Sequence, residues 1–288
     1  MIMKDNIKNE EFHVRITSDP PLFDLKLGQV WKYRDFIFIY TANQFTKRYK
    51  QTILGPIWLL INPLLQSIIH TFIFGVVAGI ETDAIPMLLF YLASNGIWNY
   101  FSSVFSSCSR TFTDNSYLFG KVYFPRLTIP VAYVCISAIE FVIQLVPFII
   151  FSLYYLFKYQ YTVNFMGLLL TPVFLLWLGG IGLGLGIIVS AATAKYRDLK
   201  ILVDIAIRLW MYATPVVYPL SKLNPGIIRT LIRINPLTSA VELFRKAVFG
   251  VGTVDPLSIG VSMLLMCAAL MIGLIRFNKI EKNFMDTV

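Results

Sequence analysis

Long apolar runs alternate with short polar connections along most of this chain. Six runs have the roughly 20 predominantly apolar residues that a helix needs to cross hydrocarbon. They cover 53–79, 86–106, 128–156, 165–191, 201–219 and 257–275. The pattern predicts an all-α integral membrane protein with six transmembrane helices, and an even number of crossings puts both termini on one side. Residues 1–26 are polar, with Lys4, Asp5, Lys8, Glu10, Glu11 and Arg15 scattered through them. They lack the apolar core of a signal peptide. The expected organisation is a polar extension over 1–26, an interfacial helix with a basic entry over 27–52, a six-helix membrane domain over 53–276 and a tail over 277–288.

Two stretches depart from the simple span pattern. From Leu27 to Tyr40, Val30, Tyr33, Ile37 and Tyr40 recur at helical spacing, with Lys32, Arg34 and Asp35 among them and Trp31 as an interfacial ring. That predicts an amphipathic helix on the membrane surface, either a plain anchor or a functional gate. In 220–256, Asn224-Pro225 predicts a helix start, with Ile227, Ile228, Leu231 and Ile232 on one face. Asn235-Pro236 breaks that helix. Ser239 with Glu242 three residues on predicts a capping box for a second helix bearing Val241, Leu243, Phe244 and Val248. Helices of about eight to twelve residues reach only about 12–18 Å, too short for about 30 Å of hydrocarbon. A helical hairpin that enters the outer leaflet and returns fits the pattern; two helices lying flat on the interface are the alternative.

Composition supports the membrane reading. The 288 residues are 57% hydrophobic and only 14% charged, against roughly 25% charged in an ordinary soluble domain. This excludes a disordered chain and a nucleic-acid-binding domain. The 23 Phe, 15 Tyr and 5 Trp supply amphipathic surface suited to lipid headgroups or sugar rings. The net charge of +9 sits mostly in the connections. Lys26, Lys32, Arg34, Lys47, Arg48 and Lys50 precede the first run; Arg110, Lys121 and Arg126 follow the second; Lys195, Arg197 and Lys200 follow the fourth; Arg276, Lys279 and Lys282 follow the sixth. By the positive-inside rule these connections and both termini are cytoplasmic. The opposite connections hold Glu81, Asp83 and a single Lys158, but 220–256 resists the rule with Lys222, Arg229, Arg233, Arg245 and Lys246. Cys108, Cys135 and Cys267 make no disulfide framework.

Polar groups inside the spans are candidates for function. In the second span Asn95, Asn99, Ser102, Ser106 and Ser109 fall on one helical face. Such a stripe must meet protein or water. It either hydrogen-bonds a neighbouring helix or lines a wet path on which Trp98, Tyr100 and Phe101 offer ring faces. Gly180/Gly184 and Gly182/Gly186 in the fourth span have the spacing that lets backbones touch, so packing is their expected role. Glu140 in the third span has no evident partner, whereas Asp204 and Arg208 in the fifth are expected to pair with each other. His13 and His70 lie apart and no cysteine has metal-ligand spacing, so no metal is expected. Gly120-Lys121 lacks the remainder of a P-loop. The chain is therefore expected not to be an enzyme, and energy from ATP has to come from another subunit.

Four stretches together resemble one family. Lys47-Arg48-Tyr49-Lys50-Gln51-Thr52-Ile53-Leu54-Gly55-Pro56-Ile57-Trp58 is similar to the lead into the first span of type-2 ABC-transporter permeases that export polysaccharides such as O-antigen, capsule or teichoic acid. Lys121-Val122-Tyr123-Phe124-Pro125-Arg126, Lys195-Tyr196-Arg197-Asp198-Leu199 and Ile234-Asn235-Pro236-Leu237-Thr238 match it in the same order, and the likeness covers about 28–280. The resemblance implies a homodimer with two separate ATPase subunits that hold ATP and Mg, no cofactor on this chain, and a bacterial inner-membrane location. It implies a cargo carried on undecaprenyl diphosphate, a coupling helix after the second span and a re-entrant pair before the last. The competing readings are a teichoic acid or capsule exporter, a drug or lipid exporter of the same superfamily, and a membrane glycan transferase.

Site residues follow from these readings. Tyr91, Asn95, Trp98, Asn99 and Ser102 with Trp210 and Tyr212 are expected to line a channel for a threaded glycan. Trp31, Arg34, Lys47, Arg48 and Lys50 are expected to form a gate for the lipid diphosphate, since Arg grips phosphate with a fork and Lys with a point charge. Residues 107–123 and 192–200 are expected to meet the ATPase. There Asp114 or Asn115 would cap a short helix bearing Tyr117, Leu118 and Phe119, beside Lys195, Arg197 and Asp198.

Overall fold

The computed structural model describes residues 27–284 apart from Gln51, Tyr123 and Arg197. Every regular element among them is helical. The surface stretch forms α1 (Leu27–Lys32) and α2 (Arg34–Tyr49), the second running a full nine residues past Tyr40. Next come α3 (Trp58–His70), extended by a wider π-type stretch to Val77, and α4 (Met87–Ser109). Two single turns, α5 (Thr111–Asp114) and α6 (Ser116–Phe119), precede α7 (Thr128–Tyr159). The chain continues through α8 (Thr171–Lys195), α9 (Leu199–Tyr212), α10 (Ile227–Ile234), α11 (Pro236–Phe249) and α12 (Pro256–Phe284).

Among the described residues, four segments are long and apolar enough to cross a bilayer: Gly55–Val77, Thr128–Tyr159, Phe165–Lys195 and Pro256–Asn278. The other two apolar runs are helical but differ in kind. Helix α4 has 23 residues, yet its Asn and Ser positions dilute its hydropathy. Helix α9 has 14, a length of about 21 Å. The polar dilution of α4 has a structural reason: from Leu89 to Trp98 it is buried without interruption, at the centre of the molecule. Helices α7 and α8 both pack against it and α12 packs on α8.

The glycines of α8 make those two contacts close. A Cβ on Gly182 would sit 2.9 Å from Val104, and one on Gly186 would sit 2.5 Å from Cys108 Cβ, so this row faces α4. A Cβ on Gly184 would lie 2.7 Å from the backbone of Ala269 and Leu270, so the adjacent row faces α12. The two small-xxx-small rows thus serve two neighbours at once.

The polar connections gather at two ends. One holds α1, α2, α5, α6 and the α8–α9 connection. The other holds the α3–α4 and α7–α8 connections and the pair α10–α11, and it is laced together by Ser221 Oγ donating to Asp83 at 2.6 Å, the Lys222–Glu81 ion pair, and Asn164 N donating to Val248 O at 2.8 Å. The expected capping box here is corrected. Asn235, not Ser239, caps α11, its Oδ1 accepting from Leu237 N at 3.2 Å with Pro236 in the first turn. Glu242 is freed for another task. It is paired with Arg245, accepts from Leu220 N at 3.2 Å and from Thr253 N at 2.9 Å, and so ties both flanks of the hairpin to α11. Arg245 also donates to Pro215 O and lies 4.5 Å over the Phe90 ring of α4.

Candidate functional site

At the α2 end, the lone carboxylate of the third span finds its partner in the basic entry. Arg48 forms an ion pair with Glu140, joining the end of α2 to the middle of α7. Ser103 of α4 completes the cluster, 2.9 Å from Ser137 Oγ and 3.5 Å from Glu140 Oε2. The Glu140 side chain is 9% exposed and that of Arg48 49%, so the carboxylate is held inside while the guanidinium keeps an open face. Beside them, burial first and then the Glu140 charge hold the Tyr49 hydroxyl above its ordinary range. The other gate candidates stay outside: Trp31 is 72% exposed, Arg34 reaches toward Asp35 at 3.9 Å, and Lys47 and Lys50 are exposed.

A second anchor holds α2 nearer its middle. Tyr40 donates to Asn115 Oδ1 at 2.6 Å, and Asn115 Nδ2 donates to Tyr133 of α7 at 2.8 Å and to Thr111 O at 2.9 Å. Burial, then the neighbouring Tyr133, push the Tyr40 hydroxyl well above its usual range, so it remains a donor. Asn115 stands at the start of α6 but its side chain makes no capping bond, which corrects the expected cap: a buried amide satisfied by two tyrosines and a carbonyl has nothing left for the turn.

The channel candidates divide into buried and open members. Asn95 is wholly buried, with Nδ2 donating to Ser67 at 3.0 Å and Oδ1 3.1 Å from His70 Nδ1. Asn99, one turn on, donates to Gln66 at 3.2 Å and is half-buried, as is Ser102. The upper stripe of α4 therefore meets a matching polar stripe on α3. Tyr91 and Trp98 are buried too. Trp98 starts an aromatic row with Phe101, which meets Trp210 edge-on at 5.4 Å. Trp210 Nε1 donates to Asn235 at 3.3 Å, connecting that row to the joint of the hairpin. Tyr212 is exposed, 6.4 Å from Phe74 between ring centres.

The coupling candidates surround a second ion network. Asp114 pairs with Lys200 at 2.9 Å, and Arg110 pairs with Asp204. The expected Asp204–Arg208 pair is thus replaced, because the end of α4 brings Arg110 against that face of α9 while Arg208 points outward. Tyr117 is 70% exposed and Leu118 half-buried, but Phe119 turns inward against Phe112 and Phe124. Lys195 and Asp198 are exposed, and Arg197 lies outside the described residues.

Comparison with known proteins sets this architecture in a family. Residues 36–249 match the model of the ABC-2 type transporter, well over half of the chain. The chain belongs to the ABC-2 type transporter family. Two O-antigen export system permease proteins RfbA of Klebsiella pneumoniae are each 28% identical to it over 253 residues, covering 88% of this chain and 94% of theirs. The RfbA permease of Myxococcus xanthus is 28% identical over 222 residues, 77% of this chain and 82% of its own. This ABC-2 chain is a multi-pass membrane protein and the permease component of an ABC transporter, a class that works with a nucleotide-binding partner.

Sequence reasoning passed over Gln66 and Ser67 on α3, weighed His70 only as a metal ligand, and gave Asn115 only a capping role. A signal existed for these three residues of α3: they sit within a five-residue stretch of an otherwise apolar run. No signal existed for Arg48 with Glu140, which are 92 residues apart.

Proposed function

We propose that this chain is the membrane-spanning permease of an ATP-driven exporter that moves an O-antigen-like polysaccharide, linked to undecaprenyl diphosphate, across a bacterial inner membrane. It acts as a homodimer with two copies of a separate ATPase that holds ATP and Mg, with both termini cytoplasmic. Six crossings and a re-entrant α10–α11 pair form each half. The match to the ABC-2 family over residues 36–249 carries the transporter reading, and the export of O-antigen by its relatives supports the cargo.

The reading gives each step its residues. A diphosphate approaching the cytoplasmic face meets Arg34, Lys47, Lys50 and the open side of Arg48. The Arg48 guanidinium has five N–H donors in a fixed fork, enough to hold Glu140 and accept an anion. The sugars then follow Asn99, Ser102 and Tyr212, with Trp98, Trp210, Tyr91 and Asn95 behind them. Ring faces and small polar groups hold successive sugars weakly, which a threaded polymer requires. Tyr117 and Leu118, with Lys195, Arg197 and Asp198, form the ATPase contact. The Lys200–Asp114 and Arg110–Asp204 pairs pass its motion to α4 and α9.

The test uses inside-out vesicles carrying the permease and its ATPase. Wild-type vesicles are expected to take up the lipid-linked glycan only with ATP, and no ATP-dependent uptake overturns the exporter reading. Tyr117→Asp with Leu118→Asp is expected to leave ATP hydrolysis running while uptake stops; normal uptake by that variant overturns the contact.

A further inference from the structure

The five cations of 220–256 stand where the positive-inside rule expects few, and the structure accounts for only three of them. Lys222 pairs with Glu81, Arg233 with Asp255, and Arg245 with Glu242. Arg229 and Lys246 have no carboxylate partner among the described residues. Both line one cavity of about 360 Å³, enclosed by α10, α11, the segment after Gly250 and the start of α12. Three cations and one carboxylate line it, which leaves it positive. That carboxylate, Asp255, is already committed to Arg233, to Leu257 N at 3.3 Å and to Ser258 Oγ at 3.3 Å.

Two donors in the same wall are unused. Ser239 is 6% exposed and its Oγ has no hydrogen-bond partner; Arg229 is half-buried, and its Nε is shielded and unbonded. Buried donors are almost always satisfied, so two orphans beside surplus positive charge point to a missing acceptor. Its level in the membrane can be read from α10. Ile227, Ile228 and Leu231 are exposed on that helix, whereas Arg229 and Arg233, one turn apart, face the cavity. With its apolar face toward lipid and its cations turned into the cavity, α10 keeps the cavity within reach of phosphate headgroups.

We propose that this cavity binds a phosphate-bearing headgroup, with the fork of Arg229, the ammonium of Lys246 and the hydroxyl of Ser239 as its donors. At about 30 Å³ per water, it has room for about a dozen waters, enough for one or two phosphates. The phosphate has two chemical sources: the diphosphate that links the cargo to its carrier, or an anionic phospholipid of the leaflet. The outer-side location rests on the exporter reading; the binding itself does not.

The experiment is calorimetric titration of the purified full-length permease in a neutral detergent, with inorganic diphosphate in one arm and a short-chain phosphatidylglycerol in the other. Wild-type protein is expected to bind at least one probe, less tightly as salt rises. Arg229→Gln and Lys246→Gln are each expected to weaken binding about tenfold or more, and Ser239→Ala severalfold. Arg229→Lys is expected to retain more affinity than Arg229→Gln. Neither Arg229 nor Lys246 holds another side chain, so an unchanged melting temperature shows that the variants are folded. Diphosphate alone points to the cargo linkage and phosphatidylglycerol alone to a membrane lipid; either one, or both, supports the site. Binding of neither probe by wild-type protein overturns it, as does equal affinity in the Arg229→Gln/Lys246→Gln double variant. Export without probe binding refutes the site alone, while probe binding without export refutes the exporter reading alone.

Discussion

At the hairpin end, Glu242 and Arg245 stand one turn apart on the same helix, each 2% exposed. At the α2 end, Arg48 and Glu140 come from helices 92 residues apart, and the arginine is 49% exposed. The groups are the same; the settings are not. The first pair is sealed, and both members also bind backbone of other segments, so any separation strands charges in a dry interior. The second has one wet partner, so an incoming anion can reach the open face of Arg48 while Glu140, 9% exposed, keeps its hold on the other side of the fork. A sealed pair fixes a shape, and a half-open pair between two elements can take a further partner. The hairpin is accordingly tied by a sealed pair, whereas the Arg48 end of α2 is tied by a half-open one, beyond the buried Tyr40–Asn115 anchor.

The largest effect expected from this contrast is at Glu242. Glu242→Ala leaves Arg245 buried without its counter-charge and removes the acceptor for Leu220 N and Thr253 N. A loss of about 3–5 kcal/mol is expected, the usual cost of orphaning a buried charge. Thermal unfolding in detergent checks it, and a small change would mean that the hairpin end is not sealed.

At the α2 end the same type of change is expected to do less to stability and more to transport. Arg48→Ala or Glu140→Gln should cost about 1–2 kcal/mol, between exposed and buried pairs. Their effects on the lipid-linked substrate should have opposite signs: Arg48→Ala weakens its binding, while Glu140→Gln releases Arg48 and tightens it. Binding to membranes carrying each variant measures this. A parallel loss in both would make the pair a structural tie rather than a gate.

The smallest effect is expected from the exposed Lys222–Glu81 pair. The hydrogen bond and charge of Lys222 hold the Glu81 carboxyl below its ordinary 4.5, and the same bond holds Lys222 above its ordinary 10.5. A lowered carboxyl stabilises above its unfolded value and loses this as pH falls through the lowered one. A raised ammonium stabilises below its unfolded value and loses this as pH rises through the raised one. The melting difference between wild type and Lys222→Gln should therefore be flat between 4.5 and 10.5, shrink beyond both limits and vanish in high salt. A difference that survives high salt would place this pair with the sealed one.

Much of the scaffold was legible in the residues, because hydropathy and helical periodicity are local properties. The apolar runs, the break at Asn235-Pro236, the short α10 and the glycine rows of α8 follow from spacing alone. Even so, the rows did not say that one faces α4 and the other α12. Spacing also suggested partners that packing replaced: Asp204 took Arg110 instead of Arg208, Glu242 took Arg245 and two backbone amides instead of a cap, and Asn115 took two tyrosines. A nearby residue of the right type is only one competitor for a polar group, and in a low-dielectric interior the group goes wherever its desolvation is best offset. The sequence by itself determined which segments are helical, which are apolar and where charge collects. Tertiary structure alone decided which charge meets which, since that depends on helices brought together from opposite parts of the chain.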